Sequence, residues 1–362
     1  MEKFIKNILV TGGAGFIGSH TLITLLENGY RLIILDSLVN SSEKVIKRVL
    51  TLSNLQDKKR ESMAIFIKGD VRDQKLLINI FEKYTNSLQS IVAVVHFAGL
   101  KSVFESTKFP LHYWDSNVSG TINLLKIMER FNCLNFVFSS SATIYGTNNK
   151  NLLIKENDVI NPINPYGQTK DVIEQILNNL IAVKNKKWSI AILRYFNPIG
   201  AHKSGLIGEN SKGFPNNLMP IINKVAFKEI KELEIFGNDW NTPDGTGVRD
   251  YIHVMDLAEG HLLALEYILD KNNKSNFIKL NLGTGTGTSV LELVDTFSRV
   301  NGVEIPYKFS ARRDGDVSYS VADISQAKSK INWNPKRNLK EMCRDSWNSY
   351  KKQKDYKFRK LH

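Results

Sequence analysis

Short apolar runs recur along the first half of the chain, each closed by polar or glycine-rich residues: NILV, RLIILD, MAIFIKGD, SIVAVVHFAG, LNFVFSSS and SIAILRYF. Runs of this length without strict alternation read as strands buried on both faces. Between the first two, FIGSHTLITLLENGY sets Ile17, Leu22, Leu25 and Leu26 near one helical stripe and ends on Gly29, a residue suited to a helix C-terminus. Strands alternating with helices predict a parallel sheet covered on both faces, with ligands at the carboxyl ends of its strands. The expected class is therefore α/β, a doubly wound parallel sheet. From NPIGAHKSG at about residue 198 the chain is richer in loops and turn residues, which marks a smaller, mixed second portion. No internal repeat is visible.

Composition narrows the class. A chain of 362 residues has room for two domains, and 42% hydrophobic content supplies a packed core. No stretch approaches the ~20 apolar residues of a membrane span. The first apolar run, ILV, is broken at once by TGGAGFIG, too early for a secretory h-region. Cys133 and Cys343 lie far apart and form no CxxC, so neither a disulfide framework nor a metal site is expected, and a reducing cytoplasm fits. The net charge of +13 comes mostly from scattered Lys and Arg; the one dense run, KKQKDYKFRKLH, reads as a solvated, partly disordered tail. With no zinc-finger or RNP-type motif, the basic balance suits an anionic small molecule better than nucleic acid.

Three stretches carry candidate chemistry. TGGAGFIG follows the first strand and opens a helix; Gly12, Gly15 and Gly18 are spaced by three, and Gly13, Gly15 and Gly18 satisfy GxGxxG. In that context the glycines allow a tight turn and close backbone approach to a pyrophosphate, while the helix N-terminus supplies free N–H groups and partial positive charge. Asp36 ends the second strand, where a carboxylate accepts from a ribose 2′-hydroxyl and repels a 2′-phosphate, favouring NAD over NADP. A second glycine-rich stretch, NLGTGTGTS at 281–289, has no such acid after it and reads as a turn. NPYGQTK places Tyr166 and Lys170 four apart, on one helix face. Such a pair can be ordinary surface packing. Alternatively, an ammonium beside a phenol favours the phenolate, and a phenol so tuned serves as a base near neutral pH.

The motifs TGGAGFIG, HFAGLKSV, FSSSATIYG, YGQTK, LRYFNPIGAH, PNNLMP, IFGNDW, DGTGVRDYIHVMDLA and RRDGDV run in order across nearly the whole chain. Together they resemble the UDP-galactose 4-epimerase family of the extended short-chain dehydrogenase/reductase superfamily; GTGVRDYIHVMDLA and PNNLMP are the family-specific ones. The resemblance implies a tightly held NAD on a Rossmann-type domain of residues 1–197 and a UDP-sugar on residues 198–362, part of which is expected to return to the first sheet. It implies that Tyr166 is the base, Lys170 its partner and Ser141 a hydrogen bond to the reacting hydroxyl, with inversion at sugar C4 through a 4-keto sugar. Cofactor residues by the same resemblance are Gly12, Gly15, Phe16, Ile17 and Gly18 in the loop, then Asp36, Asn40 and Ser41. Asp70 and Val71 would flank adenine. Phe97, Ala98, Gly99, Lys101, Asn117 and Phe196 would line the cofactor cleft with Tyr166 and Lys170. On the substrate side it implies Asn197, Asn216, Asn217, Leu218, Phe236, Arg249, Tyr251, Arg313, Asp316 and Ser320. Arginine forks suit a diphosphate. A homodimer is also implied, through helices including LLKIMER.

Two departures from the family pattern stand out. Ser37 replaces an Asn that often follows the ribose-binding acid. Ser320 replaces a Tyr found in some members, beside the sugar's 2-substituent, so acetylated UDP-sugars are expected to be admitted along with UDP-glucose and UDP-galactose. A sugar 4,6-dehydratase would carry an Asp-Glu pair after the active-site hydroxyl residue; here Ala142 and Thr143 follow Ser141. A UDP-glucuronate epimerase stays open, since contacts to a sugar carboxylate leave no readable signature. A non-catalytic NAD-binding regulator could dispense with Ser141, Tyr166 and Lys170, yet all three are present.

Overall fold

The structure, a computed structural model, describes residues 6–53, 62–84, 90–147, 153–184, 187–210, 217–273, 275–313 and 315–358. The six apolar runs become β1 (Asn7–Thr11), β2 (Arg31–Asp36), β3 (Ala64–Lys68), β4 (Ile91–His96), β5 (Asn135–Ser139) and β6 (Ser189–Tyr195). Shorter strands follow: β7 (Asn197–Ile199), β8 (Leu233–Phe236), β9 (Val248–Arg249) and β10 (Tyr251–His253). The last are β11 (Phe277–Leu282), β12 (Thr288–Ser289), β13 (Tyr307–Ser310) and β14 (Tyr319–Ser320). One sheet has seven strands in the order β11-β6-β5-β4-β1-β2-β3, and β1 to β6 pair in parallel within it. The order reverses at β1, whose neighbours are β2 and β4, which is the switch point where such sheets bind ligands.

The helices are α1 (Phe16–Glu27), α2 (Lys44–Leu52), α3 (Gln74–Lys83), α4 (Val103–Lys108), α5 (Pro110–Tyr113) and α6 (Gly120–Arg130). After them come α7 (Pro165–Ala182), α8 (Leu218–Ala226), α9 (Val254–Leu269), α10 (Val290–Asn301), α11 (Ser325–Ile331) and α12 (Leu339–Phe358). Local chemistry sets their ends. Asp73 caps α3 by accepting from Leu76 N at 3.0 Å, and Ser289 caps α10 by accepting from Glu292 N at 3.0 Å. Gly29, at φ +81°, ends α1 as its spacing predicts, and its N–H returns to the Leu26 carbonyl. Among the described residues no helix is long and apolar enough to cross a membrane.

The contacts divide the chain into two interleaved units. One comprises residues 1–144, 164–194 and 258–280; the other comprises 145–163, 195–257 and 281–362. The first unit packs Leu9, Val94, Phe136 and Ile190 of the sheet against Leu124 and Met128 of α6 and Ile173 and Leu177 of α7, all fully or almost fully buried. The apolar side chains of LLKIMER are thus largely spent inside this unit. The second has its own core of Met219, Ile222, Ile235, Leu293, Phe297 and Trp347.

The basic tail departs from expectation. Helix α12 continues through Phe358, because Trp347 and Tyr350 pack against Phe227 and Lys354 pairs with Glu229. Only residues 359–362 of that run lie outside the described residues.

Candidate active site

The β1–α1 turn is built for close approach. Gly12 has φ +70°, and a Cβ there would sit 2.6 Å from the Ala98 backbone nitrogen. A Cβ on Gly18 would run into the Gly12 carbonyl, so the turn and the first helical residues need both glycines. Helix α1 starts at Gly15 with no side-chain cap and no acid in its first turn, which leaves its N–H groups and positive end for an anion. Phe16 and Ile17 occupy that turn, half-buried.

Asp36 ends β2 almost fully buried. Its carboxylate accepts from Ala14 N at 2.9 Å, Leu38 N at 2.8 Å and Ser41 Oγ at 2.8 Å. An ionised carboxylate has about four acceptor sites, so three bonds fix its orientation and leave capacity for a ribose. Ser41 serves the carboxylate, while Asn40 beside it is exposed. Asp70 is held by Arg72 through the backbone N at 2.9 Å and the guanidinium at 2.7 and 3.0 Å; those hydrogen bonds keep its carboxyl below the usual range. The next carbonyl, Val71, accepts from Asn123 at 2.7 Å.

After β4, residues 97–101 are pinned from α-helical neighbours. A π-helical turn, Trp114–Ser119, interrupts the run from α5 to α6 and presents Asn117 inward, fully buried. The Asn117 amide accepts from Leu100 N at 2.7 Å, and donates to Leu100 O at 3.0 Å and to Thr169 Oγ1 at 3.1 Å. Thr169 in turn donates to the Tyr166 carbonyl at 2.7 Å. Asn117 therefore locks the segment of Phe97, Ala98, Gly99 and exposed Lys101 to the helix that carries Tyr166.

That helix, α7, begins where Asn164 accepts from Gly167 N at 2.8 Å, with Pro165 in its first turn. Tyr166 and Lys170 are buried on one face, the lysine Nζ 5.9 Å from the tyrosine ring centroid and 4.7 Å from that of Phe138. The ammonium donates to the Ser139 carbonyl at 2.8 Å. Burial lowers its pKa to about 8, with Glu174 pulling the other way. Two residues beyond Ser139, the buried Ser141 Oγ accepts from Thr143 N at 3.3 Å and Thr143 Oγ1 at 2.9 Å, which leaves its own proton to donate elsewhere. Neither Asp nor Glu follows it.

In the second unit, register gathers several of the expected substrate residues. Asn197 of β7 lies opposite Tyr251 of β10, and Arg249 of β9 opposite Ser320 of β14. Arg249 Nη2 reaches Asp316 at 3.5 Å, and the Arg313 guanidinium lies 3.6 Å from the Phe236 ring centroid. Phe196 is buried; Tyr251 is buried too, which raises its phenol to about 12. Asn217 begins α8 with its amide donating to Glu209 at 3.0 Å, followed by Leu218. Asn216 lies outside the described residues.

Supporting residues escaped the sequence reading. Asp250, between Arg249 and Tyr251, accepts from Thr284 N and Oγ1, Gly285 N and Ala322 N at 2.6–3.1 Å. The second glycine-rich stretch, read as a turn, instead runs from the end of β11 through residues 283–287 into β12, and its bend wraps a buried carboxylate. Thr169, Ser140, Glu174 and Arg194 were missed as well. For Glu174 a signal existed, since it lies one helical turn past Lys170.

The match to known proteins is extensive. The family model described as GDP-mannose 4,6 dehydratase covers residues 9–346. UDP-glucose 4-epimerase of Bacillus subtilis is 48% identical over 340 residues, 94% of this chain and 95% of that one. The crystal structure of UDP-glucose-4-epimerase from Stenotrophomonas maltophila, with bound NAD and formylated UDP-arabinopyranose, superposes with a TM-score of 0.90 at 44% identity, covering 97% of this chain and 99% of that one. The structure of the UDP-Glc/GlcNAc 4-epimerase from Campylobacter jejuni superposes with a TM-score of 0.79 at 32% identity, covering 96% of this chain and 99% of that one. With relatives this similar over nearly their whole length, and with no carboxylate pair following Ser141, the chain belongs to the UDP-glucose 4-epimerase family.

Proposed function

We infer that this protein interconverts UDP-galactose and UDP-glucose by NAD-dependent inversion at sugar C4 through a transient 4-keto sugar. The observation that supports it best is the Tyr166–Lys170 pair, buried on one face of α7 with the ammonium tied to the strand end that leads to Ser141. The glycine turn, the uncapped start of α1 and the fixed Asp36 carboxylate suit NAD. Bound NAD supplies reversible hydride acceptance at the sugar carbon. Tyr166 Oη takes the proton of the 4-hydroxyl and later returns it. The Lys170 positive charge stabilises the phenolate, more strongly for being buried. Ser141 donates to the reacting sugar oxygen. Asn197, Arg249, Arg313 and Asp316 hold the uridine diphosphate, and this grip at a distance anchors the nucleotide while the keto sugar turns.

By this assignment residues 1–197 hold the cofactor and residues 198–362, with Asn197, hold the uridine diphosphate, while β11 of the later portion completes the first sheet. Acetylated UDP-sugars are also substrates, because Ser320, opposite Arg249, is small where a bulky side chain would crowd an N-acetyl group. The working form is a homodimer: Phe104, Phe109 and Leu111, around α4 and α5, are 58–82% exposed and suit a second copy. The buried free thiols of Cys133 and Cys343 suit the cytoplasm. The test is to incubate pure protein with UDP-galactose and with UDP-N-acetylgalactosamine, identify the product sugars, and assay the nucleotide released on denaturation. Recovery of either sugar unchanged would remove that substrate, and release of NADP would contradict the Asp36 assignment.

A further inference from the structure

Beside the residues assigned to the chemistry lies a buried ion pair that the reaction does not use. Glu174 sits on α7 one turn beyond Lys170, and Arg194 on β6; both side chains are 1% exposed. Arg194 Nε donates to both Glu174 oxygens at 3.0 and 3.1 Å, and its Nη2 donates at 2.5 Å. Ser140 Oγ donates to the same carboxylate at 2.5 Å, and Ser140 N to Leu193 O at 2.8 Å. Consecutive residues of the serine run are therefore tied to α7 through different partners, Ser139 by its carbonyl to Lys170 and Ser140 by its hydroxyl to Glu174.

An ion pair this deep is costly to assemble, and well-packed apolar residues would often serve stability as well. The charges around Lys170 and around the ion pair itself suggest what it does. From β4 comes His96, held neutral by burial, with its pKa pushed down to about 3; from α9 comes His261, against Ser139 Oγ. From β11 comes Lys279, half-buried, and on α7 itself lie Tyr166 and the partly exposed Asp171. Glu174 is the one fully buried carboxylate in this set. Without it, Arg194 and Lys170 would be two buried cations with no buried anion.

We propose that Glu174 and Arg194 are positioning residues for the reaction, a neutral pair that fixes the Ser139–Ser141 turn against α7 and spares the Lys170 ammonium a net buried charge. The proposal rests on the role assigned to Lys170. Removing either charge alone must act on Lys170 with opposite sign. Loss of the carboxylate leaves Arg194 to oppose the ammonium; loss of the guanidinium leaves Glu174 to favour it.

The test uses the holoenzyme and the variants Glu174→Gln, Arg194→Gln and the double variant. One readout is the alkaline limb of kcat/KM against pH. The other, independent of turnover, is the titration of the Lys170 Cε carbon by NMR, assigned by its loss in Lys170→Met. Glu174→Gln should move both to lower pH by about one unit, and Arg194→Gln to higher pH. The double variant should lie near wild type. Folded single variants with an unmoved lysine titration, or with shifts of the same sign, overturn the proposal. Should the single variants fail to fold, Ser140→Ala decides: it should lower kcat several-fold at unchanged KM, and wild-type kcat would overturn it. An active Tyr166→Phe protein would instead remove the base assignment, while the lysine titration would still report on the pair.

Discussion

Two sets of charges, one in each unit, are held in opposite ways. In the first, Lys170, Glu174 and Arg194 are at most 5% exposed and joined to their partners by bonds of 2.5–3.1 Å. In the second, the Arg249–Asp316 contact is 3.5 Å long with side chains 19% and 39% exposed, and Arg312 and Asp239 are more exposed still. Burying an ion costs several kcal/mol even after relaxation, so the first arrangement fits a place where charge must act at full strength on a reacting group. Exposed pairs contribute little. On the proposed function, Arg249 would therefore exchange its long contact with Asp316 for a diphosphate at small cost. On the proposed function, the difference is between buried charges set beside the base and exposed ones set to take up a ligand.

The largest expected effect comes from the buried side. Tyr166→Phe removes the proton acceptor at nearly constant volume, and kcat should fall at least ~10²-fold with nucleotide still bound; near-normal turnover would undo the base assignment. Next is stability. Arg194→Ala leaves Glu174 buried and unpaired, which should cost about 3–5 kcal/mol in chemical denaturation, whereas Arg312→Ala should leave the midpoint where it was. Equal effects would erase the contrast. Arg249→Ala and Arg313→Ala should raise KM for UDP-galactose with kcat nearly kept. A hydrogen bond to a charged group is worth about 1.5–3 kcal/mol, roughly ten- to a hundredfold in affinity. A loss confined to kcat would place these arginines in the chemistry instead.

Two smaller effects sharpen the picture. Folded Lys170 gives up its proton near pH 8, against 10.5 for an ordinary lysine. Between those values the unfolded chain binds more protons, so stability rises with pH there. Lys170→Met removes the buried charge. It should be slower yet more resistant to denaturant than wild type at pH 6, with that advantage fading toward pH 10.5; a pH-independent difference would mean the ammonium is not desolvated. Last, Ser320→Tyr should lower kcat/KM for UDP-N-acetylgalactosamine by about tenfold or more while sparing UDP-galactose, since overpacking costs ~1–3 kcal/mol. Parallel losses on both sugars would move the gate elsewhere.

Sequence alone determined what short range can encode. A run such as RLIILD is a buried strand wherever it sits, Gly29 ends its helix because it tolerates φ +81°, and the glycine turn needs Gly12 and Gly18 for steric reasons a few residues long. The spacing of Tyr166 and Lys170 likewise put both on one helix face. The tertiary structure decided everything that depends on neighbours distant in sequence. FIKLNL at 277–282 is an edge strand because β6 was left with an open side. The basic end is helical because Trp347 and Tyr350 find Phe227. GTGTGT wraps a carboxylate because Asp250, 34 residues before Thr284, takes three donors from it and a fourth from Ala322 N. The pairing of Glu174 with Arg194 spans 20 residues and an element boundary, and neither residue's own neighbourhood announces it. Periodicity and turn chemistry report only on a residue's immediate chain. Burial of a charge depends on what packs around it, and that exists only once the chain has folded.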